Sequence, residues 1–163
     1  MIHGVVILVW LGLCALQDMR QRQIANGLTL GVALLALAYL VWNGATWLGA
    51  PASEGGWAFA VALLLTLPGY ALGRFGAGDV KLLAALALAS TWDALLWSLI
   101  GAAVFQGGWV LIRQRLRARQ HNGLTAASTK QPFAPFVLSG VALYWPWIQS
   151  AHKVSIAMYI VGK

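Results

Sequence analysis

Only four of the 163 residues are acidic, and two of them, Asp18 and Asp79, stand beside long apolar runs. Asp79 lies in Gly73-Arg74-Phe75-Gly76-Ala77-Gly78-Asp79-Val80-Lys81-Leu82-Leu83, just after two glycines. Asp18 closes the first apolar run. Two facing carboxylates suit the hydrolysis of a peptide bond by activated water. One must be ionised to take the water's proton; the other must be protonated to donate to the carbonyl oxygen. Close approach in a low-dielectric site enforces that split, because two adjacent like charges cannot both ionise cheaply. Such groups titrate as a pair. The helix dipole leans toward Asp79, at a helix N-terminus, as the base, and Asp18, near a helix C-terminus, as the protonated partner.

Each aspartate also has a plainer reading. Asp79 reads as a helix N-cap, with Gly76 and Gly78 shaping the turn. Asp18 reads as an interfacial residue paired with Arg22, four positions on. Either is plausible alone; the two together, in a chain with only two other acids, favour the chemical reading.

The elements that must position the pair are membrane helices. Hydrophobic residues make up 60% of the chain, charged residues 9%, and the mean hydropathy is +0.74. A soluble domain carries about 25% charged residues, so the outer surface of this chain must face lipid instead. The net charge of +7 does not call for a nucleic-acid partner, since basic loops are what orient membrane proteins. The single cysteine, Cys14, excludes a disulfide framework, and His3, His121 and His152 are too scattered for a metal cluster. No metal and no cofactor is expected. The opening MIHGVVILVWLGLCALQ lacks a basic n-region and a cleavage site, and reads as a retained first helix.

The fold class expected is all-α and polytopic, one membrane-embedded domain over 1–163 with spans at roughly 2–18, 27–48, 57–74, 79–92, 93–112 and 133–149. Arg20, Arg22, Arg74, Lys81, Arg113, Arg115, Arg117, Arg119 and Lys130 fall on one side if the spans alternate; Lys153, Lys163, Glu54 and Asp93 fall on the other. That asymmetry places the odd-numbered loops in the cytoplasm and both termini outside. Trp42, Trp47, Trp57, Trp92, Trp145 and Trp147 then lie near the outer interface. Asp18 and Asp79 share the cytoplasmic side, near the inner edge of a hydrocarbon core about 30 Å thick. Carboxylates at that depth are costly and usually functional.

With these residues in view, the chain resembles the type IV prepilin peptidases, membrane aspartic proteases with a GxGD signature shared with presenilin-like enzymes. Gly76-Ala77-Gly78-Asp79 matches that signature. Asp18-Met19-Arg20-Gln21-Arg22-Gln23-Ile24-Ala25-Asn26 matches a second element, with Ala25 where proline is usual. Pro132-Phe133-Ala134-Pro135-Phe136 matches a third, with Ala134 where glycine is common. The resemblance implies that Asp18 and Asp79 are the catalytic pair. It implies that Gly76 and Gly78 admit the substrate closely, and that the segment Pro132, Phe133, Pro135 forms part of the site wall. Arg22 and Asn26 belong to the second element and would shape the site. Lys81 either tunes the pair or snorkels to the interface. The implied substrate is a prepilin with a basic leader ending in glycine and a hydrophobic helix, cut on the cytoplasmic face of the inner membrane. The chain starts at the first catalytic helix and lacks the cysteine-rich segment of longer relatives, so it resembles the short, peptidase-only class and N-methyltransferase activity is not expected. Arg113 to Arg119 are expected to hold anionic lipids rather than a basic leader. Three rivals stay open: a small transporter or proton relay, a non-catalytic assembly protein, and a presenilin-like protease with another substrate. The sequence does not set the oligomeric state.

Overall fold

The computed structural model describes residues 2–73, 75–119 and 133–146. Arg74, Lys130, Pro132, Trp147 and the C-terminal tail lie outside the described residues. Helices form α1 (Ile2–Gln21), α2 (Asn26–Asn43), α3 (Ala52–Ala71), α4 (Ala77–Ala89), α5 (Trp92–Arg119) and α6 (Ala134–Pro146). The expected all-α class holds. Helices α1 and α2 in full, and α5 over Trp92–Leu116, are long and apolar enough to cross a membrane.

Helix α4 sits at the centre. Apart from Lys81, every side chain from Val80 to Ala89 is buried, with Leu82, Leu83, Ala85, Leu86, Ala87 and Ala89 fully enclosed. Its thirteen residues rise about 20 Å, less than the hydrocarbon core, and a helix wrapped by others need not match the lipid thickness. Around it, Leu30, Leu34, Val41, Leu64, Val104 and Leu111 are exposed. In water such a surface would aggregate; against lipid tails it is ordinary. Buried hydroxyls turn back into their own helices, as Thr66 does to the Ala62 carbonyl (2.6 Å) and Ser98 to that of Leu95 (2.6 Å).

Three boundaries differ from the sequence expectation by five residues or more: α5 runs to Arg119 rather than 112, and two others have a visible cause. Span two was expected to reach 48, but α2 stops at Asn43, where Gly44 takes the left-handed conformation (φ 68°) and its N–H caps the Leu40 carbonyl. Helix α3 starts at Ala52 rather than 57, because Pro51 presets the entry and Glu54 fits the first turn. Glu54 also reaches across to accept the Trp92 N–H at 2.8 Å, which fixes the start of α5 against that of α3.

Helix α6 docks partly through its backbone. Gly101 of α5 and Gly140 of α6 face each other so closely that a Cβ on either would strike the opposite main chain. Small residues at such a crossing let two helices approach where lipid offers no hydrophobic drive. Gly4 of α1 likewise leaves room for the Trp145 ring of α6. These contacts set where the first turn of α6 falls.

Candidate active site

That first turn meets Asp18. The Phe133 N–H and the Ala134 N–H donate to Asp18 Oδ2 at 2.7 and 3.0 Å, and the carboxylate is only 5% exposed. The first amides of a helix have no partner of their own, so a buried acceptor satisfies them. The plainer reading of Asp18, a pairing with Arg22, is not what the side chain does. Arg22 instead leaves α1 in the left-handed region (φ 52°), its N–H donating to the Asp18 carbonyl at 2.8 Å.

Asp79 stands at the third position of α4, not at the N-cap of its plainer reading. The N-cap is Gly76, whose N–H donates to Asp79 Oδ2 at 2.9 Å, a short version of the reciprocal capping found at helix starts. Gly76 and Gly78 do not supply left-handed backbone here; that role falls to Gly73 (φ 68°), at the end of α3. A Cβ at Gly76 would crowd Asp79 Oδ2 at 3.2 Å, whereas one at Gly78 would make ordinary contact with Ile24 at 3.6 Å. Helix ends do not separate the two aspartates, because both carboxylates lie against a helix N-terminus, one at α4 and one at α6.

Both aspartates line a single open cavity of about 950 Å³. Arg22, Asn26, Gly76, Gly78, Lys81 and Phe133 line it as well. Pro135 does not; it occupies the first turn of α6, where its missing N–H costs no hydrogen bond. Pro132 lies outside the described residues. The Lys81 ammonium donates to Asn26 Oδ1 at 2.8 Å, joining α4 to the start of α2 across the cavity wall. Lys81 is thus tied to a neighbouring helix. Among the described residues, no group of three or more His, Cys, Asp or Glu could hold a metal ion.

Several cavity residues were not singled out from sequence. Gln17 accepts the Ala25 N–H at 3.1 Å and donates to Gln21 Oε1 at 3.2 Å, which pins the α1–α2 turn. Gln106 enters from α5, and Phe75 from the turn before α4. An amide within an apolar helix is the signal that could have found the two glutamines, since polar groups at membrane depth usually face a cavity or a partner. Phe75 offers no such signal in so aromatic a chain.

No curated protein and no solved structure matches the chain. The sequence model of the type IV leader peptidase family matches residues 5–111. That stretch runs from α1 well into α5 and includes both aspartate-bearing turns, so this all-α membrane protein belongs to the type IV leader peptidase family and is a peptidase.

Proposed function

We propose that the chain is an aspartic endopeptidase that removes the leader of a type IV prepilin or pilin-like protein at the cytoplasmic face of the inner membrane. The observation that carries this reading is the convergence of Asp18 and Asp79, remote in sequence, on one cavity. In the reaction, one carboxylate takes a proton from water, the resulting nucleophile attacks the scissile carbonyl, and the other carboxyl protonates its oxygen. Collapse of the tetrahedral species passes the first carboxyl's new proton to the departing amine and returns a hydroxyl proton to the second, releasing the leader acid and the mature N-terminus. The same cavity admits an extended peptide, and its polar wall of Gln17, Asn26, Lys81 and Gln106 offers donors and acceptors to an unwound backbone. Basic residues clustered in the odd-numbered loops support six spans with both termini outside, and Arg113 and Arg115 near the end of α5 support contact with anionic lipid.

A second reading has its own support. Both carboxylates accept backbone N–H groups, so each could act as a structural cap alone. Asparagine separates the two, since its amide oxygen still accepts those hydrogen bonds but cannot exchange the proton. The test is co-expression of a prepilin with wild type, Asp18→Asn or Asp79→Asn, followed by gel shift of the pilin and measurement of enzyme levels in the membrane. Loss of cleavage in each variant at normal levels supports the aspartic reading. Cleavage by either variant makes that residue a cap.

A further inference from the structure

Phe75 belongs to neither aspartate's own helix, yet it connects their surroundings. Its ring stands edge-on to that of Phe133, with centroids 5.4 Å apart and planes at 83°. On its other flank it rests on α3: the Phe75 N–H donates to the Gly69 carbonyl at 3.1 Å, and a Cβ at Gly69 would collide with the ring. Phe133 is the residue whose N–H holds Asp18, and Phe75 immediately precedes Gly76, whose N–H holds Asp79. A continuous path, Asp18 to Phe133 to Phe75 to Gly76 to Asp79, therefore crosses the cavity wall.

We propose that Phe75 is a positioning residue, a strut that fixes the separation of the two carboxyls by holding the turn before α4 against the start of α6. The proposal rests on reading Asp18 and Asp79 as the reacting pair. Water activation requires both carboxyls to reach one water and one carbonyl at once, and a misplacement of about 1 Å can cost about 10²-fold in rate. Two aromatic rings meeting edge to face hold a preferred angle and distance. An aliphatic side chain fills similar space but imposes no such geometry.

The experiment measures steady-state cleavage of a prepilin-type protein, with a basic leader ending in glycine before an apolar helix, by full-length enzyme in membranes. Thermal midpoints are recorded alongside. Phe75→Leu is expected to lower kcat by about 10²-fold with KM unchanged, and Phe75→Tyr to retain wild-type kcat. Phe133→Leu is expected to cause a similar loss. The double variant should be no worse than either single one, because both remove the same contact. Should Phe75→Leu lower the thermal midpoint, Phe75→Met carries the test with a more adaptable filler. A rise in KM alone, losses that multiply in the double variant, or wild-type kcat in the aliphatic variants would each overturn the strut. Asp79→Asn is assayed in parallel. Cleavage by that variant defeats both the paired-aspartate reading and the strut, whereas a dead Asp79→Asn beside a fully active Phe75→Leu defeats the strut alone.

Discussion

The amides that hold Asp18 would hold an asparagine almost as well. Asp18→Asn is therefore expected to abolish cleavage while costing about 1 kcal/mol or less, the difference between a charged and a neutral acceptor. Asp18→Ala should cost more, about 1–3 kcal/mol, because it strands two buried N–H donors. Thermal unfolding in detergent, run beside the cleavage assay, checks both. Arg22 offers a contrasting case. It takes a left-handed conformation that glycine adopts without penalty, so Arg22→Gly should stabilise the fold by about 1 kcal/mol, read as a rise in the same unfolding midpoint. The aspartates were legible in sequence because acids are so rare in this chain. What Asp18 binds was not, because its partners lie 115 and 116 positions away.

Among the elements, α6 matters most to the site while being one of the shortest. Its first amides reach Asp18 only if Gly140 stays against Gly101. Gly140→Leu should force the helices apart, cost about 1–3 kcal/mol by overpacking, and lose activity although the residue is remote from the cavity. Unfolding midpoints and cleavage rates measured on the same preparation check this. The start of α4 allows a finer comparison. Gly76→Ala brings a methyl to 3.2 Å of the Asp79 carboxylate and should impair cleavage by displacing it, whereas Gly78→Ala finds 3.6 Å to Ile24 and should fold normally. If Gly78→Ala folds but its KM rises, that glycine serves the approach of the substrate. The GxGD spacing was visible in sequence, but the unequal room at its two glycines depends on Ile24, which another turn supplies.

For the whole molecule, the charge asymmetry makes a prediction about sidedness. In a Cys14→Ala background, a cysteine replacing exposed Asn43 should react with a membrane-impermeant maleimide added to intact cells. A cysteine replacing exposed Gln23 should react only after the inner membrane is opened. The opposite pattern would invert the topology. Composition alone determined that this chain lives in lipid, since 9% charged residues cannot cover a water-facing surface. Apolar run lengths and glycine or proline breaks determined the existence and order of the helices, with ends displaced by up to seven residues, because backbone polar groups in lipid must be satisfied within each helix. The scarcity of acids and their spacing picked out Asp18 and Asp79. Tertiary structure decided the rest: that α4 is the buried centre, that Lys81 bonds Asn26, that Phe75 meets Phe133, and that the amides of α6 hold Asp18. Those relations join distant parts of the chain through close helix packing, and no local pattern of residues encodes which faces will meet.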